Sequence, residues 1–118
     1  METGSMVLDR DTILAEIKTY LMDEFSMDSE GVIDMTALFL ESLTDAAGKA
    51  EEALALGDFA GLAAVGHSIK GSAANIGANA VSAIGAALDA AAKAENAALC
   101  AEKVAELAAA RDSLNASA

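Results

Sequence analysis

The chain contains no proline and no tryptophan, and its other aromatic residues are one tyrosine and three phenylalanines. Proline is the residue least compatible with a helix interior, and alanine, which is abundant here, is the most compatible. A chain of 118 residues is long enough to form one domain whose core needs neither disulfides nor metals. The composition therefore predicts a single all-α domain.

Basic residues are scarce as well. Seven lysines and arginines stand against 19 acidic residues, which gives a net charge of −12. Nucleic acids and anionic membrane surfaces are bound by clusters of lysine and arginine, and the seven basic residues here are scattered along the chain. We therefore expect neither nucleic acid nor a membrane as a partner, and favour a protein that tolerates an acidic surface.

Cysteine is represented only by Cys100, so no internal disulfide can form. This favours a reducing compartment, and we expect a cytoplasmic protein. The sequence shows no zinc-ligand spacing and no glycine-rich phosphate loop, so we predict neither a cofactor nor a metal. Residues 1–8 resemble a flexible N-terminus or a cloning remnant rather than a secretory signal, and residues 9–118 are the predicted domain. The uncharged stretch 71–88 is too rich in small residues to predict a membrane span.

Apolar residues recur at spacings of three and four, which is typical of amphipathic helices. We predict a first helix over about 11–24, a polar loop over 26–31 and a second helix over about 32–56. Gly57 is predicted to end the second helix, and Asp58 to cap a third helix that ends at Gly77. Asn79 is predicted to cap a fourth helix, and a turn around 95–98 precedes the fifth helix. The predicted buried stripes are, helix by helix, Leu14, Ile17 and Leu21; Met35, Phe39, Leu43, Ala46, Ala50 and Leu54; Leu62, Val65, Ile69, Ser72 or Ala73, and Ile76; Val81, Ile84, Leu88 and Ala91; and Cys100, Val104, Leu107 and Leu114.

One-sided stripes joined by short connections indicate helices that pack on one another as antiparallel neighbours. The predicted architecture is an up-down antiparallel four-helix bundle, formed by the second to fifth helices. The additional N-terminal helix is expected to pack across it.

The only histidine, His67, lies in the third predicted helix, two residues after Val65 and two before Ile69. Because each helical residue turns the chain by about 100° and both neighbours are predicted to face the core, His67 should point to the opposite side. We therefore predict an exposed imidazole. A buried structural histidine and a surface histidine without a function are the alternatives.

The residues one turn from His67 are unusually small. Ala63, Ala64 and Gly71 share its helix face, and Ala74 lies one turn further. A strip without bulky side chains would let another protein approach the imidazole closely. A glycine in mid-helix costs about 0.5–1 kcal/mol relative to alanine, so Gly71 needs a reason, which is either this approach or close packing of two helices.

Lys70 is the remaining neighbour on that face. It suits a role in offsetting the charge of an anionic group carried by His67. A salt bridge to a nearby carboxylate is the alternative.

The run HSIKGSAANIG, residues 67–77, resembles the signature of histidine-containing phosphotransfer (Hpt) domains. That signature is a histidine, any residue, an aliphatic residue, lysine and glycine, followed by small residues and an aliphatic-glycine pair. Gly57-Asp58-Phe59 resembles the helix junction of the family, and Phe39 within residues 38–41 resembles its second-helix core motif. The resemblance covers about residues 9–115.

The resemblance implies that His67 is the phosphoacceptor. It would take a phosphoryl group from an aspartyl phosphate on a response-regulator receiver domain and pass it to another receiver aspartate. Lys70 would stabilise the charge of that phosphoryl group, and Ala63, Ala64, Gly71 and Ala74 would form the docking strip. The implied partners are receiver domains and a hybrid sensor kinase, and we expect a monomeric phosphocarrier without ATP-dependent kinase activity of its own.

Two other interpretations stay open. The phosphoacceptor domain of a chemotaxis-type histidine kinase has a similar histidine motif but receives its phosphoryl group from a kinase domain that uses ATP. A helical adaptor that is never phosphorylated would keep its partner affinity when His67 is replaced. The dimerisation domain of an ordinary sensor kinase fits less well, because its His-Glu-x-x-Arg/Lys-Thr-Pro pattern is missing.

Overall fold

The computed structural model describes residues 9–116, which form five α-helices and no β-strand within that range. The helices are α1 (Arg10–Phe25), α2 (Ser29–Leu56), α3 (Phe59–Asn75), α4 (Asn79–Lys93) and α5 (Ala97–Asn115). The predicted number of helices and the all-α class are confirmed. The predictions for residues 1–8, and for the last two residues of the domain, lie outside the described residues.

Four of the five helices begin at a residue whose side chain accepts a hydrogen bond from the backbone N–H three positions on. Such a cap satisfies one of the N–H groups that have no partner inside the helix. The pairs are Asp9 with Thr12 at 2.7 Å, Asp28 with Gly31 at 2.8 Å, Asp58 with Gly61 at 2.9 Å, and Asn96 with Leu99 at 3.1 Å. The predicted cap at Asp58 is confirmed.

The cap at Asp28 also corrects the start of α2. The sequence predicted a loop over 26–31, but α2 begins at Ser29, and the connection from α1 contains only residues 26–28. The turn is tight because Ser26 ends α1 in the left-handed conformation, with a φ of 52°.

A glycine follows the end of two helices, as predicted. Gly57 follows α2 with a φ of +68° and Gly77 follows α3 with a φ of +79°, a region in which a side chain clashes with the backbone. The backbone of Gly77 lies directly against the Tyr20 side chain of α1, so no side chain would fit there.

Helices α2 to α5 form the predicted bundle. Helix α3 packs between α2 and α4, and α5 packs between α4 and α2, which closes the ring. Helix α1 contacts α2, α4 and α5, as expected of a helix that crosses the bundle. Leu43, Leu62, Ile69, Leu88 and Leu107 are fully buried between the helices.

Three of the predicted stripes need correction. On α1 the fully buried residue at the start of the stripe is Ile13, whereas the predicted Leu14 is only half-buried. On α2 the buried positions are Phe39, Leu43, Ala47, Ala50 and Ala53, whereas Met35 is 39 % exposed and Ala46 and Leu54 are half-buried. Each step of four residues rotates a position by about 40° around the helix. Three such steps separate Met35 from Ala47, so Met35 has left the face that meets the core. On α3, Val65 is only half-buried, and Gly66 takes the fully buried place beside it.

The predicted cap of α4 is wrong. The position before the helix is Ala78, which has no side-chain cap, and Asn79 is already the first helical residue. Glu16 of α1 contacts this end instead, because its Oε1 accepts a hydrogen bond from the Ala80 N–H at 3.5 Å. A carboxylate beside a helix N-terminus is favourable electrostatically, so α1 contributes to the start of α4.

Cys100 lies in the core of α5 and is fully buried. Burial raises the pKa of its thiol, because an apolar environment disfavours the thiolate. The buried cysteine therefore acts as a small apolar core residue.

Candidate functional site

The position of α3 is set by two glycines that face each other across the bundle. A Cβ on Gly66 of α3 would lie 2.6 Å from the Asp89 nitrogen and 2.7 Å from the Gly85 oxygen of α4. A Cβ on Gly85 would lie 2.7 Å from the Lys70 nitrogen. Since real Cβ atoms do not approach a backbone so closely, only glycine permits this crossing.

The crossing turns the next residue, His67, away from α4 and the core. His67 lies midway along α3 and its side chain is exposed. The predicted exposure is therefore confirmed, and a buried structural histidine is excluded. Its assigned role as a phosphoacceptor stays a prediction.

The surface around His67 is formed by small residues. Ala64, Gly71 and Ala74 are exposed and Ala63 is half-buried. A Cβ added to Gly71 would have no atom within 4 Å outside its own helix turn. Gly71 thus plays no part in helix packing, which depends on Gly66 instead. The open strip fits close approach by another protein, and docking there remains a prediction.

Lys70 is exposed on the side of His67 that faces α4. Within residues 9–116 no carboxylate lies within 4 Å of its ammonium group, and the alternative interpretation as a salt bridge finds no partner there. Its backbone oxygen accepts a hydrogen bond from Ser82 Oγ of α4 at 2.9 Å. The backbone of Lys70 is therefore held while its side chain is available to an anion.

On the other side of His67, a cleft of about 300 Å³ separates α3 from α2. Ala64 and Ser68 line it from α3, and Asp45 and Lys49 line it from α2, where they form an ion pair of 3.1 Å. The sequence analysis did not single out these two residues. Their spacing of four on one helix was the available signal.

A second charged pair, which the sequence pattern did not single out, lies on α4. Asp89 is buried and Lys93, one turn later, is exposed with its Nζ 3.3 Å from Asp89 Oδ1. The spacing of four residues was the available signal for this pair, and only the glycine crossing brings Asp89 next to Gly66, the neighbour of His67.

No group of three or more histidine, cysteine, aspartate or glutamate side chains within residues 9–116 is arranged to hold a metal ion. Over the same range, none of the helices combines the length and the apolar character needed to span a bilayer.

Comparison with known protein families decides the relationship of this chain. The family model described as the Hpt domain matches residues 34–117. The chain belongs to the Hpt domain family. The match includes α3 with His67 and begins inside α2, so α1 and the first turns of α2 lie outside it. Comparisons with curated proteins and with solved structures gave no match.

Membership assigns a phosphotransfer role in two-component signalling to this Hpt domain. Hpt domains are phosphocarriers rather than kinases, and they interact with receiver domains and kinases. The five-helix architecture, with four helices in a bundle and one across it, agrees with that family.

Proposed function

We propose that His67 accepts a phosphoryl group from the aspartyl phosphate of one receiver domain and passes it to the aspartate of another. The observation that carries this proposal is the position of His67. It is the only histidine of an Hpt domain, it is exposed in mid-helix, and the strip around it is open. A receiver can therefore bring its phosphorylated aspartate to the imidazole without meeting a bulky side chain.

The chemistry requires little of this chain beyond its nucleophile. A lone pair on one nitrogen of neutral His67 attacks phosphorus in line, and the bond from phosphorus to the aspartyl oxygen breaks. The aspartate leaves as a carboxylate, while the second imidazole nitrogen keeps its proton. Phosphoryl transfer depends mainly on positioning and charge stabilisation, so the receiver would supply its metal and acidic pocket.

Lys70 contributes charge in this scheme. It lies one turn from His67 on the same helix face, and no carboxylate within residues 9–116 neutralises it. Its ammonium group would attract the phosphoryl oxygens both during transfer and while the group resides on His67.

The finer assignments are part of the same proposal. The domain is a phosphocarrier without its own ATP-dependent kinase activity, and it acts as a cytoplasmic monomer between a hybrid sensor kinase and a response regulator. Ala63, Ala64, Gly71 and Ala74 form the surface on which the receivers dock.

The test is transfer from receivers that carry radiolabelled aspartyl phosphate to the wild type and to His67→Gln. Glutamine is compatible with a helix but cannot form a phosphoimidazole, so the variant should fold and acquire no acid-labile label. Label on His67→Gln would show that the acceptor is another residue. Label on the wild type from an ATP-using kinase domain but from no receiver would overturn the relay in favour of a chemotaxis-type acceptor.

A further inference from the structure

We propose that Lys93, held in place by Asp89, is a second cation that acts on the phosphoryl group of His67. This inference rests on the proposed function, because it requires a phosphoryl group at that position. It assigns a role to a charged pair on α4, outside the His67-Lys70-Gly71 run.

Asp89 is the only charged side chain that is buried among the described residues. Its Oδ1 is shielded from solvent and accepts no hydrogen bond from residues 9–116. A buried carboxylate is stable only when a positive charge or hydrogen-bond donors compensate for its lost hydration. The Lys93 ammonium group is the cation next to it, 3.3 Å from Oδ1 and 3.5 Å from Oδ2.

The two partners differ strongly in exposure. The side chain of Asp89 is 12 % exposed and that of Lys93 is 71 % exposed. The buried carboxylate of Asp89 therefore holds the solvent-accessible ammonium group of Lys93 at one edge of α4. An exposed ammonium group can bind a phosphoryl oxygen while it stays close to its anchor.

That edge of α4 runs beside α3. Ser82, Asp89 and Lys93 are separated by seven and four residues, so they share one helix face. The Ser82 hydroxyl donates a hydrogen bond to the backbone oxygen of Lys70 at 2.9 Å. This hydrogen bond places their common edge beside the side of α3 that carries Lys70.

The close contact between Gly66 and α4 sets the position of Asp89 and Lys93 along the axis of α3. A Cβ on Gly66 would lie 2.6 Å from the Asp89 nitrogen, and consecutive Cα atoms are only about 3.8 Å apart, so Asp89 lies next to the His67 turn. Side chains of a helix lean toward its N-terminus. Lys93 therefore extends back along α4 toward Asp89, and hence toward the level of His67.

The distribution of charge along the chain adds a separate argument. Lys70 and Lys93 are the only basic residues between Lys49 and Lys103, on a chain with a net charge of −12. Lys70 lies on α3, and Lys93 lies on α4 beside the buried Asp89. A doubly charged phosphoryl group on this acidic surface would be flanked by two cations.

The experiment measures the rate at which phosphoramidate, a small donor that needs no docking surface, phosphorylates His67 in Lys93→Met. Methionine keeps the stem and removes the charge. We expect acceptance to be about threefold slower at low salt, since a cation in a wet site attracts an anion weakly. The difference should shrink in 0.5 M salt, where charges are screened. Lys93→Arg should keep the wild-type rate.

Two further variants separate this role from indirect effects. Lys18→Met removes an exposed cation of α1 and should leave the rate unchanged. In an Asp89→Asn background no buried carboxylate is left unpaired, and the amide oxygen can still accept a hydrogen bond from the Lys93 ammonium group. Lys93→Met should therefore still slow acceptance relative to Asp89→Asn alone. An effect that disappears in that background, or one that Lys18→Met reproduces, would overturn the role of Lys93.

Failure of the underlying function gives a different result. If phosphoramidate does not label wild-type His67, the phosphoacceptor assignment falls, and the Lys93 assignment falls with it. If the wild type is labelled normally and Lys93→Met matches it at low salt, only the role of Lys93 is refuted. Thermal melts of each variant show whether a slower rate accompanies unfolding, which would also count against it.

Discussion

Gly66 and Gly85 cross so closely that a Cβ on either glycine would lie within 2.8 Å of the backbone of the opposite helix. Five residues further along α3, Gly71 faces open space. Two glycines of one helix therefore serve opposite purposes, since one permits contact within the molecule and the other leaves room outside it.

Gly71→Gln tests the open strip. Glutamine has a higher helix propensity than glycine by several tenths of a kcal/mol, and nothing lies within 4 Å of the position. The melting temperature should therefore be equal or higher, while transfer from phosphorylated receivers should fall strongly because the side chain obstructs docking. A lower melting temperature with a matching loss of transfer would refute the docking interpretation.

Gly66→Ala is the matched contrast on the same helix. Its new methyl group would meet the backbone at Asp89 and Gly85, and overpacking of this kind costs about 1–3 kcal/mol. Urea denaturation should show a lower free energy of unfolding for Gly66→Ala, in contrast to Gly71→Gln. Equal stability of Gly66→Ala and wild type would show that the crossing can relax.

Lys70→Ala tests the charge on the α3 side of the site. We expect the fold to be retained and the barrier for phosphoryl transfer to rise by about 1–2 kcal/mol. This is less than for a donor removed from an enclosed oxyanion hole, because the site is wet. Rapid-quench transfer kinetics give the rate, and Lys18→Ala on α1 is the charge-matched control. An unchanged transfer rate would leave Lys70 without a role in the chemistry.

Glu16→Ala tests whether α1 supports the bundle by completing the start of α4. The Glu16 carboxylate contacts the Ala80 N–H at 3.5 Å, a long hydrogen bond, so the loss should be near 0.5 kcal/mol, the lower end of the range for capping groups. Thermal melts measure it. Glu16→Gln, which keeps an oxygen acceptor, should lose less, and phosphorylation of His67 by phosphoramidate should be unaffected in both. Wild-type stability of Glu16→Ala would show that the contact contributes nothing.

Glu51→Gln tests a pH-dependent link between α2 and α5. Arg111 donates to both oxygens of Glu51, at 2.8 and 3.3 Å, and these hydrogen bonds lower the pKa of Glu51. A carboxyl group whose pKa is lowered by folding contributes stability above its unfolded pKa of about 4.3, and that contribution is lost as pH falls through the folded pKa.

The stability difference between wild type and Glu51→Gln should therefore be greatest near pH 7 and should decrease below about pH 4. Urea denaturation at several pH values measures it. Glu52→Gln makes the same change at a residue without an ion pair within residues 9–116, and it should show a smaller dependence on pH. Parallel curves for the two variants would contradict the role assigned to Arg111.

The periodicity of apolar residues was sufficient to predict five helices, their order and the exposure of His67. Such information is local, because the position of a side chain around a helix follows from a fixed rotation per residue. The same reasoning misplaced Met35, since a stripe followed in steps of four drifts around the helix. It also assigned the cap of α4 to Asn79 because Glu16, which contacts that end, lies 64 positions from Ala80 in the chain.

The run from His67 to Gly77 was sufficient to indicate the family and the candidate phosphoacceptor through its resemblance to the Hpt signature. Its histidine, lysine and glycine share a face wherever the helix forms, because they are three and four residues apart. Only the tertiary structure decided that Gly66 packs against α4 and that Gly71 faces open space. The helix propensity of glycine is the same at both positions, because it does not depend on the neighbouring helix. It also decided that Asp89, which has Lys93 beside it, packs against Gly66, the neighbour of His67. Asp89 and Lys93 lie more than 20 positions from His67 in the sequence, and only the close crossing at Gly66 and Gly85 brings their edge of α4 to α3.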